Sequence, residues 1–183
     1  MNRFVWLLAL TCALAAPVTH AQPSVTFDGE RYLLRGDAHR APIPLVEYVR
    51  AGESLQSWTR LVAIRHFAKL DDPRAAAGNL ARIVREHNPN ARADVIAKDD
   101  GSEAIVDFLT WAPGDDRLEF NVHRYRRVDG LPGLVAYQFA WRFRMAELAD
   151  PTKTVSANRK RWIDAMTRVD FGNPFATAQK PLR

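Results

Sequence analysis

The sequence predicts an α+β domain in which an antiparallel sheet, including a four-stranded meander, packs against two helices. Three observations predict it. Stretches rich in β-branched and aromatic residues recur between Gly, Asp and Pro turns, and two other stretches carry apolar residues at helical spacing. The elements also follow the order strands, helix, strands, helix, which is typical of α+β domains.

The first half begins with strand signals. Residues 25–27 and 31–35 flank an Asp-Gly pair, which favours a tight hairpin turn. Residues 43–49 alternate loosely and include Pro44, which confines a strand to a sheet edge or places the proline at a strand start. Residues 58–67 form a third β-rich stretch.

The first helix has signals at both ends. Asp72 can cap its amino end and Pro73 suits its first turn, while Asn88 and Pro89 stop it.

Four further strands follow the first helix. Residues 93–98, 103–111, 117–127 and 134–144 are separated by Asp- and Gly-rich turns, and this spacing predicts an antiparallel meander.

The second helix is predicted over residues 156–169. Arg159, Lys160 and Arg161 then lie at its head, where the helix dipole disfavours cations. Two interpretations stay open for this triplet, a solvated helix end or a patch for an anionic partner.

Hairpin symmetry predicts neighbours across the meander. A turn centred near Gly114 pairs Phe108 with Phe120, and a turn after Gly130 pairs Phe120 with Trp141. One face is then apolar and forms the core, and the other face is mixed. Its polar members are candidate ligand-binding residues: Asp107, Glu119, Asn121, His123, Gln138 and Arg142. The alternative is a solvated face with ordinary cross-strand pairs such as Glu119 with Arg142.

The amino terminus has the pattern of a cleavable secretory signal peptide over residues 1–21. Arg3 precedes an uncharged apolar run at 4–16, and Thr19 and Ala21 place small residues before the cleavage point. The run is shorter than the ~20 residues that span a bilayer, so we expect no stable membrane anchor.

Cleavage would remove Cys12, the one cysteine of the chain. The residues before Cys12 lack the pattern of a lipidation site. We therefore expect a domain at residues 22–172 without disulfides, followed by a flexible tail at 173–183. Losing Arg3 lowers the formal charge from +5 to +4, which is too small for a nucleic-acid footprint.

No catalytic, phosphate-binding or metal-ligating motif stands out in the sequence, and we expect no cofactor and no metal site. The scattered histidines lack ligand spacing. Paired aspartates such as Asp71 and Asp72 lie beside turn residues, where capping explains them better than acid–base catalysis.

A Gly-Glu-Ser-Leu-Gln-Ser-Trp-Thr stretch at residues 52–59 leads into a strand. With the element order, it resembles small exported bacterial proteins of unknown function whose layout is similar to the PsbP/Mog1-like α–β–α sandwich. The resemblance implies a non-enzymatic accessory or binding role and assigns no catalytic residues.

The leading hypothesis is a periplasmic or secreted binding or accessory protein whose partner is a small ligand or a protein of the envelope. The first alternative is an inhibitor or immunity-type protein that blocks a secreted enzyme or toxin. A third is an envelope hydrolase using Asp107, Glu119 or His123.

Overall fold

A computed structural model describes residues 22–111 and 114–175. The strands are β1 (Ser24–Phe27), β2 (Glu30–Ala38), β3 (Leu45–Arg50), β4 (Arg60–Phe67), β5 (Arg92–Ala97), β6 (Glu103–Trp111), β7 (Arg117–Arg126) and β8 (Leu134–Arg144). The helices are α1 (Pro73–His87) and α2 (Pro151–Arg168), with a 3-10 turn at Met145–Glu147 between β8 and α2. The α+β class is confirmed.

All eight strands belong to one antiparallel sheet in the order β1-β2-β3-β4-β8-β7-β6-β5. The predicted meander, β5 to β8, forms one half, and β1 to β4 form a second meander. The halves meet where β4 pairs with β8, from Arg60 opposite Trp141 to Phe67 opposite Leu134.

Helix α1 begins and ends where the sequence predicts. The Asp72 side chain accepts a hydrogen bond from the Ala75 backbone N–H at 3.0 Å, Pro73 is the first helical residue, and Asn88 is the C-cap. The helix buries the small residues Ala76, Ala77 and Ala81 against β5 to β7. Small side chains allow the helix to lie close to the sheet.

Helix α2 begins five residues before the predicted start at residue 156. Asp150 is the N-cap and accepts from the Lys153 backbone N–H at 2.8 Å, and Pro151 is the first helical residue. This Asp-Pro start repeats the one at Asp72, and the sequence interpretation missed it. The predicted position of Arg159, Lys160 and Arg161 at the helix head is therefore wrong, because they lie in the middle of the helix.

The two helices cover opposite faces of the sheet. On the α2 face, Trp162 lies against Phe120 and Phe139, with ring centroids 5.4 and 5.2 Å apart, and Met166 is fully buried. The α1 face carries a separate cluster that includes Val106, Phe108, Tyr125 and Leu134. The expectation of one core face and one wet face is thus corrected, since alternate residues of the meander are buried on both sides.

Strand β3 lies inside the sheet, between β2 and β4, so its predicted alternative as an edge strand is wrong. Pro44 lies just before Leu45, the first residue of the strand, and its carbonyl accepts from the His66 backbone N–H at 3.0 Å. Because the proline precedes the strand, its missing N–H removes no hydrogen bond from the sheet.

The predicted register between β6 and β7 is wrong by one residue. Phe108 lies opposite Asn121, and Leu109 lies opposite Phe120. The hairpin is symmetric about the Gly114–Asp115 bond, where the Asp115 carboxylate accepts from the Arg117 backbone N–H at 2.9 Å. A one-residue change of register moves every side chain of a strand to the other face. By contrast, the predicted register between β7 and β8 is confirmed, with Phe120 opposite Trp141.

The first residues of the tail predicted at residues 173–183 pack against the domain. Phe175 is only 4% exposed and contacts the rings of His39 and His66, at centroid distances of 5.3 and 5.9 Å. The carbonyl of Pro174 also lies 2.9 Å from His39 Nε2. Residues 176–183 and the predicted signal peptide at 1–21 lie outside the described residues.

Candidate functional site

Four of the predicted ligand-binding residues form one hydrogen-bonded chain on the α1 face. Gln138 Nε2 donates to Asn121 Oδ1 at 2.8 Å, and Asn121 Nδ2 donates to Glu119 Oε1 at 3.1 Å. Arg142 Nη2 donates to Glu119 Oε2 at 3.0 Å, and Arg65 Nη1 donates to Gln138 at 2.5 Å. We call this chain, Arg65–Gln138–Asn121–Glu119–Arg142, the polar row.

The centre of the polar row is buried. Asn121 is 2% exposed and Gln138 is 9% exposed, and each side chain already has a protein partner. At the open end, the Arg142 guanidinium lies 3.7 Å from the ring centroid of Trp58. Buried polar groups of this kind are satisfied by one another and stabilise the sheet. Asn121 and Gln138 are therefore closed to solvent, and the ligand-binding role predicted for them stays a prediction.

The side chain of His123 is also buried. Its ring stacks between those of Phe108 and Tyr125, at centroid distances of 5.6 and 6.4 Å, and the residue is 7% exposed. Burial lowers the pKa of His123 to about 3, and the nearby charge of Arg65 adds to the effect. His123 is therefore a neutral imidazole inside the α1 layer near pH 7.

Asp107 lies on the opposite face from the other five candidates, because of the register of β6. It faces α2 at the inner end of a cleft of about 500 Å³. We call it the α2–β6 cleft, and it lies between the first turns of α2 and strands β5 and β6. Its walls include Arg92, Asp94, Asp107, Leu109, Trp111, Phe120, Val155, Ser156 and Arg159.

Asp107, Asp94 and Arg159 form the charged end of this cleft. Arg159 binds Asp107 through two hydrogen bonds, Nε to Oδ2 at 2.6 Å and Nη2 to Oδ1 at 2.8 Å. The same Nη2 lies 3.1 Å from Asp94 Oδ2. The side chain of Asp107 is 4% exposed, whereas that of Asp94 is 66% exposed. Burial raises the pKa of Asp107 above its usual value, against the opposing pull of the Arg159 guanidinium.

The predicted basic patch does not exist as a unit. Arg159 points into the cleft, while Lys160 pairs with Asp164 at 2.5 Å and Arg161 with Asp28 at 3.1 Å. Successive residues on a helix point about 100° apart, so three neighbours cannot share one face. Only Arg159 contributes to the candidate site.

Sequence reasoning missed most of the cleft. Val155 and Ser156 belong to it because α2 starts at Pro151, and the Asp-Pro pair at 150–151 was the signal that could have shown this. Asp94 belongs to it because β5 pairs with β6, and both strands were predicted. Nothing local in the sequence joins Arg159 to Asp107.

In residues 22–111 and 114–175, no group of three or more His, Cys, Asp or Glu side chains is placed to hold a metal ion. Neither described helix is long and apolar enough to cross a membrane.

Comparison with family models assigns the chain to a family. A family model matches residues 19–171, so the chain belongs to that family, which is a domain of unknown function. A search of curated proteins finds no match.

Proposed function

We propose that this member of the family is a non-enzymatic binding protein that holds a small amphipathic molecule in the α2–β6 cleft. We also propose that residues 1–21 direct its export to the periplasm or the medium. One helix covers each face of the sheet, which supports the proposed similarity to the PsbP/Mog1-like α–β–α layout.

The observation that carries the binding role is the burial of Asp107 at the inner end of the cleft. Its side chain is 4% exposed, and it faces a concavity of about 500 Å³. Ligand sites for small molecules typically measure about 300–1,000 Å³ and combine apolar walls with a few placed polar groups. Burying a carboxylate is costly, and a charge held in a cleft with a raised pKa is typical of functional sites.

Other surfaces support a ligand site less well. The polar row is closed at Asn121 and Gln138. A groove of about 420 Å³ along α1, lined by Phe67, Leu80 and Ile83, is almost wholly apolar and contains no buried charge. The α2–β6 cleft combines apolar walls with a buried ion pair.

A second candidate function is that of an inhibitor or immunity-type protein that binds a secreted enzyme or toxin. It is supported by apolar side chains that remain exposed at the α1 groove and at the β5 edge. These are Leu70 and Ile83 near α1, and Val95 and Ile96 in β5, which are 37–50% exposed. Apolar patches of this kind mark protein interfaces.

One pair of variants tests the cleft. The full chain is expressed, purified in the form that the cell produces, and screened by thermal shift against small amphipathic molecules. Ser156 is exposed at the cleft and Ala157 is exposed beside it, outside the cleft. Ser156→Trp should abolish the shift given by a hit, because the indole fills the cleft, while Ala157→Trp should retain it.

The outcomes separate the candidates. A hit that survives Ser156→Trp places the ligand elsewhere and contradicts the proposal. The absence of any hit, together with a protein partner that co-purifies in defined stoichiometry, favours the inhibitor role instead.

A further inference from the structure

The sheet register places two carboxylates opposite each other at the charged end of the cleft. Asp94 of β5 and Asp107 of β6 are direct cross-strand partners. Like charges at such positions repel, and sheets normally avoid them. Positions that break a local rule in this way are typical of functional sites.

One guanidinium serves both carboxylates. Arg159 uses Nε and Nη2 for Asp107, and the same Nη2 reaches Asp94. Within residues 22–111 and 114–175, no other cationic group lies within 4.0 Å of either carboxylate. This end of the cleft therefore holds two negative charges against one positive charge, which favours a further cation.

Arg92 does not cancel this imbalance at the inner end. It lies on the same face as Asp94, two residues away on β5, which is about 7 Å along the strand. Arg92 is exposed and lines the outer part of the cleft. Its charge is therefore more strongly screened than that of the buried Asp107.

The walls of the cleft suit the apolar part of an organic cation. Trp111, four residues along β6 from Asp107, contributes an aromatic ring, Val155 contributes an aliphatic side chain, and Phe120, which is 1% exposed, contributes a buried ring. Aromatic faces attract ammonium groups and also pack against apolar carbon. The volume of about 500 Å³ accommodates a ring with a short chain.

We infer that the ligand of the α2–β6 cleft is an apolar molecule with a cationic ammonium head group, which lies between Asp94 and Asp107 while its apolar part contacts Trp111 and Phe120. This inference rests on the proposed binding function. The ammonium donates a hydrogen bond to Asp94 Oδ1, which Arg159 leaves open, and to the second lone pairs of the Asp107 oxygens, and no covalent step is involved.

Three probes of one shape test the charge preference. They are 2-phenylethylammonium, the neutral 2-phenylethanol and the anionic 3-phenylpropanoate, each titrated into the purified full chain by calorimetry. The ammonium probe should bind at least about tenfold more tightly than the alcohol, and the carboxylate should bind most weakly.

The variant Asp94→Asn removes one of the two carboxylates and should fold normally, because the side chain is 66% exposed. It should reduce the preference for the ammonium over the alcohol to less than about threefold. The control is Asp99→Asn, which makes the same change of net charge in the exposed β5–β6 turn. It should leave the tenfold preference intact.

Equal or tighter binding of the alcohol or the carboxylate overturns the inference and leaves the cleft as a binding site. An ammonium preference that persists in Asp94→Asn also overturns it. Failure of the ammonium probe to bind also overturns the inference. The proposed binding function fails as well only if the wider thermal-shift screen gives no hit that Ser156→Trp blocks.

Discussion

Arg124 and Glu103 form a two-pronged ion pair beneath the last turn of α2. Arg124 Nε lies 3.0 Å from Glu103 Oε2, and its Nη2 lies 2.6 Å from Oε1. The remaining Nη1 donates to the backbone carbonyls of Met166 and Val169 at 3.0 and 2.8 Å. Burial opposes ionisation of Glu103, but the hydrogen bond and charge of Arg124 hold its pKa below the usual value. The pair fixes the end of α2 that lies away from the cleft.

Replacing Arg124 should destabilise the fold strongly. Arg124→Met removes both hydrogen bonds to Glu103, which keeps a 3.4 Å contact to Lys98, and it also removes the donor of the Met166 and Val169 carbonyls. We expect the free energy of unfolding to fall by about 3–5 kcal/mol. Arg126→Met is the control, because Arg126 makes a 3.9 Å contact to the exposed Asp170 and one exposed hydrogen bond to the Arg127 carbonyl, and it should cost less than about 1 kcal/mol. Urea unfolding measures both, and equal costs would contradict the assigned role of Arg124.

Gly133 should resist substitution more than Gly130, although both have φ of 78°. A Cβ at Gly133 would come within 2.2 Å of the Phe67 carbonyl oxygen, whereas one at Gly130 meets nothing within 4 Å. Gly130→Ala therefore reports the backbone strain alone, about 1–2 kcal/mol. Gly133→Ala should cost at least about 2 kcal/mol more, because the β4 backbone end must move. Thermal unfolding of the two variants would disprove this if their midpoints agreed.

His123 should make stability depend on pH. Its pKa is about 3 in the folded protein against 6.5 for the free group. The unfolded chain therefore takes up the proton first as the pH falls, and the free energy of unfolding should drop by about 1 kcal/mol per unit between pH 6 and pH 4. His123→Phe keeps the stack with Phe108 and Tyr125 and should lose this slope.

The comparison at each pH must be between the wild type and His123→Phe, because His39 acts with the opposite sign. A hydrogen bond to Asp37 raises the pKa of His39, so its contribution is present at low pH and is lost as the pH rises through the folded pKa. That contribution is common to both proteins and cancels. Parallel curves from pH 4 to pH 8 would show that His123 does not cause the slope.

Export should remove residues 1–21. The intact mass of the exported protein should correspond to a chain that begins at Gln22 and contains no cysteine. Ala21→Arg places a large charged side chain at the cleavage position and should leave the leader attached. A purified wild-type protein that still begins at Met1 would contradict the proposed export.

Local signals explain which elements could be predicted from sequence. The limits of α1 follow from Asp72, Pro73 and Asn88, all of which act on their own helix end. The β7–β8 register follows from the position of the turn after Gly130, which the sequence predicts correctly. In both cases the determining residues are neighbours in the chain.

The wrong predictions have two causes. One is a one-residue error in the β6–β7 register, and the other is a contact between residues that are far apart in the sequence. A single residue in the β6–β7 turn decided which helix Asp107 faces, and no propensity reports such a change. Arg159 meets Asp107 across 52 residues of sequence, and only the packing of α2 on the sheet brings them together. The candidate site was therefore out of reach of local patterns, although two of its members, Asp107 and Arg159, were named on other grounds.

The pairing of β4 with β8 determines the order in which the two halves of the sheet can form during synthesis. Each four-strand meander can form from neighbouring hairpins, but pairing Phe67 with Leu134 closes a loop of roughly 70 residues, a slow kind of contact to find. A chain made from its amino terminus completes β1 to β4 long before β8 exists. Until then β4 exposes a full edge of unpaired amides and carbonyls, which is a template for pairing with other chains. The newly made protein is therefore most prone to aggregation in the interval before its eighth strand arrives.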